Sequence, residues 1–111
     1  MRGLRLNRAL LLEAPQRVAD GAGGFVEGWQ TLGTVWAEVR PGAGRMAGGI
    51  EVAVPVQALR ITVRGVPQGH GLRPAPGQRF RDGARVYAIG AVTERDAAGR
   101  YLTCAAEEVF E

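Results

Sequence analysis

The stretch of sequence that most directly decides the fold runs from residue 56 to residue 64 and reads VQALRITVR. Apolar and polar side chains alternate along it, the apolar ones being Leu59, Ile61 and Val63 and the polar ones Arg60, Thr62 and Arg64. A period of two is typical of a β-strand with one face in the core. The other face lies in water or against a partner.

Several other short segments on either side of this strand also predict β-structure. Glycine and proline interrupt the chain often, and short apolar runs between such breakers are typical of strands. Pro15 either ends the first strand or places it at a sheet edge. The remaining predicted strands are residues 8–16, 34–40, 79–81, 84–94 and 100–107, with turns at Asp82-Gly83 and at residues 96–99. A separate short segment that carries aromatic residues, 25–31, precedes the strand at 34–40. The pattern predicts an all-β fold, a small barrel or sandwich of five or six strands.

The segment 41–55, PGAGRMAGGIEVAVP, differs from the rest of the chain. It holds four glycines and two prolines, and we expect a long Gly-rich loop there between strands 2 and 3. A single helical turn around residues 45–47 is compatible with the sequence, but Gly48-Gly49 would weaken anything longer. A loop of this length in a compact domain is usually functional or disordered.

Length and composition bound the organisation of the chain. Its 111 residues are expected to form one domain, 1–111, with residues 1–7 as a flexible basic arm carrying Arg2 and Arg5. All 14 basic residues are arginine, and the sequence has neither lysine nor serine. Codon bias explains this most simply, and selection for bidentate contacts to carboxylate or phosphate is the alternative. A net charge of +3 does not by itself indicate a dedicated nucleic-acid binder.

Nothing in the sequence predicts catalysis, a metal site or a cofactor. The one histidine, His70, lies between two glycines in a predicted loop, and the one cysteine, Cys104, reads as a small buried residue. One His and one Cys do not make a zinc set. The Gly-rich stretches lack the lysine that a phosphate-binding loop needs. We also expect no disulfide, no signal peptide and no membrane span, because the run Leu10–Leu12 is too short. The protein is therefore expected to be made in a reducing cytoplasm and not to be an enzyme.

A characteristic order of features runs along nearly the whole chain. Its pieces are the turn at residues 20–24, Trp29, the stretch TVWAEVRP at 34–41, the strand LRITVR, RVYAI at 85–89 and YLTC at 101–104. This order resembles that of the phage head–tail joining family, also called head–tail adaptor or head-closure (stopper) proteins, and it implies a bacterial cytoplasm as the place of synthesis.

This resemblance implies a role for the protein and a set of partners. It implies a ring of copies, six- or twelve-fold, in the neck of a phage or of a phage-like particle such as a gene transfer agent. Portal or adaptor proteins would lie on the head side and tail terminator or tail proteins on the other, with transient contact to packaged double-stranded DNA. The loop 41–55 would project into the channel, and its candidate residues are Arg45, Met46, Ile50 and Glu51. The sequence departs from many relatives in its glycine content there, which puts a short helix in that loop in doubt.

The charged strand faces are the candidate contacts between neighbouring copies. A ring needs two different complementary faces on each subunit. The candidates are Trp36, Glu38, Arg40, Arg60 and Arg64. Two other functions stay open at this point: a tail terminator or completion protein, and a small nucleic-acid-binding barrel in which aromatic side chains stack on bases.

Overall fold

The computed structural model describes residues 3–42, 45–48 and 53–110. Eight β-strands account for most of these residues, and no helix occurs among them. The strands are β1 (Arg8–Ala19), β2 (Phe25–Pro41), β3 (Arg45–Gly48), β4 (Ala53–Val56), β5 (Ala58–Arg64), β6 (Arg79–Asp82), β7 (Arg85–Glu94) and β8 (Tyr101–Val109). The all-β prediction is confirmed.

Six strands form one closed antiparallel sheet in the order β1-β2-β5-β8-β7-β6. The ring closes because the short strand β6 pairs with both β7 and β1. On the β1 side this pairing is brief, joining Leu11 to Arg81 and Glu13 to Arg79. Closure satisfies backbone groups that an open sheet would leave at its edges.

The interior of the barrel is filled by the apolar faces that the alternation predicts. Leu59, Ile61 and Val63 are buried, as are Leu10 and Leu12 of the first strand. The same core cluster includes Ala37, Phe80, Tyr87, Ile89, Leu102, Cys104 and Ala106. Burial of this apolar surface is the main term that stabilises the barrel.

The first hairpin extends beyond the barrel as a two-stranded ribbon, which we define as residues 14–30. Within it β1 and β2 pair only with each other among the described strands, through a register that runs from Ala14 opposite Gln30 to Ala19 opposite Phe25. Six pairs at roughly 3.3 Å each give it a length of about 20 Å. The radius of gyration, 15.6 Å, exceeds the ~13 Å of a compact chain of this length. The ribbon accounts for part of that difference.

Both strands of this hairpin are longer than the sequence pattern predicts. β2 is one continuous strand, whereas residues 25–31 and 34–40 read as separate segments. β1 continues past Pro15 to Ala19, so Pro15 does not end it. A proline is tolerated there because beyond Glu13 the other edge of β1 has no partner strand among the described residues.

The segment 41–55 is not wholly a loop. β3 and β4 form a two-stranded antiparallel hairpin in which Arg45 lies opposite Val56 and Gly48 opposite Ala53. The helical turn considered for residues 45–47 is therefore replaced by a strand, since valine in the partner strand favours extended backbone. The Gly42 amide donates to the Ala58 carbonyl at 2.9 Å, so the chain leaves and re-enters the barrel at one point.

The two predicted hairpin turns are present, and the first of them lies one residue later than predicted. Asp82 pairs with Arg85, so Gly83-Ala84 forms the two-residue connection, one position after the predicted Asp82-Gly83. Gly83 has a φ of 61°, and a type II′ turn needs a positive φ at that first loop position.

The last turn closes with the aid of a carboxylate. Asp96 Oδ1 accepts a hydrogen bond from the Arg100 amide at 2.8 Å, between β7 and β8. This turn, at residues 96–99, lies where the sequence predicts it.

Candidate assembly surfaces

The five predicted contact residues share the outer wall of β2 and β5. Arg40 and Arg60 are directly opposite each other in the β2–β5 ladder, and Glu38 lies opposite Thr62. Trp36 and Arg64 lie two positions further along their strands, and both side chains are exposed. The structure therefore brings together residues that are up to 28 positions apart in the sequence.

Glu38 differs from the other four because its side chain is already used within the chain. The residue is only 4% exposed. Its Oε2 accepts a hydrogen bond from the Arg5 amide at 3.0 Å, which holds the N-terminal segment against the barrel. A carboxylate engaged in this way is poorly placed to pair with a neighbouring copy.

A positively charged groove crosses the outer wall beside these residues; we call it the arginine groove. Arg40, Arg60 and Arg95 line it, together with Glu94. The remaining lining residues are Pro41, Thr62, Thr93 and Thr103. Hydroxyl groups and guanidiniums are donors that suit an anionic ligand such as a carboxylate or a phosphate. Arg95 is the member that the sequence analysis missed, because it lies just after the end of β7, outside any predicted strand face.

Trp36 stands at a second, more apolar depression on the same wall. The side chain is 58% exposed. Leu6, Val35, Val66 and Leu72 contribute to the lining of this depression. Arg64 also borders it, and its guanidinium carbon lies 6.0 Å from the centroid of the Tyr101 ring. An exposed tryptophan beside an apolar depression is typical of a surface that another chain covers.

A buried ionic cluster connects the base of the ribbon to the barrel. Arg79 Nε donates to Glu13 Oε1 at 2.6 Å, and Arg81 Nε donates to Glu13 Oε2 at 3.2 Å. The guanidinium carbon of Arg79 also lies 3.9 Å from the centroid of the Trp29 ring. These contacts fix the direction in which the ribbon leaves the barrel. Because Glu13 and Arg79 are 66 positions apart in the chain, no local sequence pattern predicts this cluster.

Beyond that base, the ribbon exposes apolar side chains to solvent. Phe25 is 60% exposed, and Trp29, despite its contact with Arg79, is 43% exposed. Val18 and Val26, opposite each other, are also exposed. The turn at its tip is ordered by Asp20, whose Oδ1 accepts hydrogen bonds from the amides of Ala22 and Gly24 and so has a lowered pKa.

The four predicted channel residues are only partly described. Arg45 and Met46 belong to β3, where the structure describes the backbone alone. Ile50 and Glu51 lie outside the described residues. Their role at a channel stays a prediction.

The one cysteine and the one histidine of the chain lie in different surroundings. Cys104 is buried, and burial raises the pKa of its thiol to about 12. His70 is exposed, and its Nδ1 accepts a hydrogen bond from the Leu72 amide at 3.0 Å.

Among the described residues, no three His, Cys, Asp or Glu side chains lie close enough to hold a metal ion. The same part of the chain contains no helix that is long and apolar enough to cross a membrane.

Comparison with known proteins identifies the family of this chain. Residues 1–109 match the family described as phage head completion protein. One chain in the solved virion of a native gene transfer agent particle is 48% identical, with a TM-score of 0.77 and full coverage of both chains. Protein SF1141 from Shigella flexneri 2a is 23% identical over 100% of this chain and 99% of its own, with a TM-score of 0.68, and shows the fold alone. A comparison with curated protein sequences finds no match.

The fold and these matches first define a class, the structural proteins of phage heads. Within it, the chain belongs to the phage head completion protein family. This confirms the resemblance to head–tail joining proteins described above.

Proposed function

We propose that this protein is a head-closure connector of a phage-like particle, forming a ring between the portal or adaptor proteins and the tail. The observation that carries the proposal is the match over residues 1–109, together with the 48%-identical relative in a gene transfer agent virion. On this basis the protein is a component of the particle's neck, and the particle is of the gene-transfer-agent type.

The charge and aromatic pattern of the outer wall supports contacts between copies. A cyclic ring is built from heterologous contacts, in which two unlike surfaces of the same chain meet. Trp36, Arg40, Arg60 and Arg64 are exposed on the wall formed by β2 and β5, whereas the ribbon lies at the other end of β2. We assign these four residues to an interface in a ring of six or twelve copies.

The hairpin of β3 and β4 is the proposed gate of the channel. It pairs only with itself among the described strands, and its base closes through the Gly42–Ala58 hydrogen bond. A hairpin attached at one point can move without disturbing the barrel. Arg45, Met46, Ile50 and Glu51 are the residues we assign to closure and to transient contact with packaged DNA.

Two genetic changes, each examined in particles, test this function. Without the gene, we expect DNA-filled heads that lack tails and lose their DNA, counted by electron microscopy and nuclease digestion. With residues 43–56 replaced by Asn-Gly, the barrel is retained, and we expect tails to join while unjoined heads leak DNA. Tails joined to filled heads in the absence of the protein would refute the connector role, and tight heads with the shortened hairpin would refute the gate.

The alternatives make different predictions. A tail terminator would lie against the tail tube and away from the portal in a reconstruction of the neck. A nucleic-acid-binding barrel would bind free single-stranded DNA in a salt-sensitive manner. We expect neither result.

A further inference from the structure

Two surfaces of this chain are incomplete by themselves, and the first is the arginine groove. Arg40 and Arg60 are directly opposite each other on adjacent antiparallel strands, and like charges in that position are unfavourable. Both side chains are exposed, and neither forms an ion pair with a described residue. Arg95 adds a third positive charge to the same groove, against the single carboxylate of Glu94 in the described lining. The groove therefore has the electrostatics of a binding site for an anionic group.

The second incomplete surface is one face of the ribbon. Phe25, Glu27 and Trp29 follow one another at alternate positions of β2, so their side chains share a face. Arg17 lies opposite Glu27 in the ladder, but its guanidinium carbon lies over the Phe25 ring, 4.4 Å from the centroid. Glu27 has no ion pair among the described residues. This face thus presents a carboxylate between two exposed aromatic rings.

The two surfaces are chemically complementary. A carboxylate accepts paired hydrogen bonds from guanidinium groups. Aromatic rings beside it offer faces on which further guanidiniums stack. Covering Phe25 and Trp29 would also remove apolar surface from water, which favours association.

The two surfaces cannot meet within one chain. Glu27 and Arg40 are separated by 13 positions of the same strand, which corresponds to roughly 40 Å. They also lie at opposite ends of β2, one in the ribbon and the other beside β5. Contact between them therefore requires two copies, and the contact is of the head-to-tail kind that builds a ring.

We infer that the ribbon of one copy docks on the arginine groove of the next copy, with Glu27 between Arg40 and Arg60. This inference rests on the proposed ring and specifies its interface. Double-stranded DNA is the other polyanion in the particle, but binding of DNA in the groove would leave Phe25 and Trp29 uncovered. A second copy satisfies both surfaces at once.

Disulfide cross-linking in particles tests the contact directly. The variant with Glu27→Cys and Arg60→Cys should form a ladder of covalently linked copies in purified particles after mild oxidation, seen by non-reducing electrophoresis. The native Cys104 is buried and contributes no background. Each single variant, and the pair Glu27→Cys with Gln68→Cys at an exposed site on another connection, should give no ladder.

A charge exchange gives an independent measurement. Glu27→Arg should lower the fraction of filled heads that carry tails by at least about tenfold, because it places like charges in contact. Adding Arg60→Glu to the same chain should restore most of that fraction, whereas adding Gln68→Glu at the exposed control site should not.

The outcomes separate this interface from the proposed function. If the protein is present in particles but the ladder is absent, or if the Glu27→Cys site links to a different protein, the inference is overturned and the connector role stands. If particles assemble with tails and without the protein, both are overturned.

Discussion

At the scale of single residues, charges are the most informative side chains and the least predictable. Glu13 reads as the polar end of an apolar run, yet it is 7% exposed and holds Arg79 and Arg81. Its partners lie in β6, more than 60 positions away, so only the closed sheet reveals them. Arg40 and Arg60 were predictable as outward-facing residues, but their direct opposition depends on the register of β2 against β5. A strand pattern fixes the face on which a residue lies but not the residue opposite it.

A pH dependence follows from the Arg85–Glu108 pair. Two hydrogen bonds of 2.8 and 2.7 Å join the guanidinium to the carboxylate and lower the pKa of Glu108. A lowered folded-state pKa contributes stability that is present above the ordinary pKa of glutamate and is lost as the pH falls through the lowered value. The Tm of the wild type should therefore be higher than that of Glu108→Gln at neutral pH. This gap in Tm should narrow on acidification towards pH ~3.

Thermal unfolding monitored by circular dichroism across that pH range measures the gap. Glu27→Gln is the matched control, since Glu27 is exposed and has no ion pair with a described residue. A gap between wild type and Glu108→Gln that stays constant with pH would contradict the prediction.

At the scale of elements, the alternating strands were predicted from sequence and their lengths were not. Residues 25–31 and 34–40 read as two separate segments, whereas β2 is continuous. In the structure Gly28 occupies an ordinary strand position opposite Gln16, Gly33 pairs with Leu12, and the register shift between Leu12 and Glu13 leaves Leu32 as the extra residue. The hairpin in segment 41–55 was not predicted, because glycine and proline outnumber the strand-forming residues there.

Two glycine substitutions distinguish a packed element from an open one. A Cβ added to Gly65 would overlap the carbonyl oxygen of Gly99 in the β7–β8 turn, whose backbone cannot move without disturbing the hydrogen bond from the Gly65 amide to Arg100. We expect Gly65→Ala to lower the free energy of unfolding by about 2 kcal/mol. In Gly28→Ala the new methyl group meets open space and the φ is not positive, so stability should be unchanged or slightly raised.

Denaturant unfolding of both variants provides the measurement. Equal stabilities for the two alanine variants would show that β7–β8 yields to the extra methyl group, contrary to the expectation.

At the scale of the whole molecule, the barrel and the ribbon have separate tasks. The barrel holds the apolar core, whereas the ribbon exposes apolar side chains and joins the barrel through Glu13 and Trp29. An isolated two-stranded ribbon is at best marginally stable in water. Its persistence here depends on the strands that continue into the barrel. The fold class and the family were accessible from the sequence, but the ribbon was not, because exposed apolar residues in a strand read as core residues.

Replacing residues 16–28 by Asn-Gly should separate these tasks. The change keeps Pro15 opposite Trp29 and preserves the contact between Trp29 and Arg79. We expect a folded barrel with a Tm within about 5 °C of wild type, together with loss of tail joining in particles. Calorimetry and electron microscopy measure the two effects, and normal joining by the shortened protein would show that the ribbon is dispensable.

The one thiol lies in the middle of β8, and its rate of chemical modification can be used to measure opening of the barrel. Cys104 is opposite Ile61 on one side and Val92 on the other, and its side chain is fully buried in the core, so a reagent can reach it only when the barrel opens. Movement of the ribbon or of the β3–β4 hairpin leaves it covered. The rate of alkylation therefore records opening of the barrel alone. Measured on free protein and on intact particles, the ratio of the two rates gives the extra stability that a subunit gains from its neighbours.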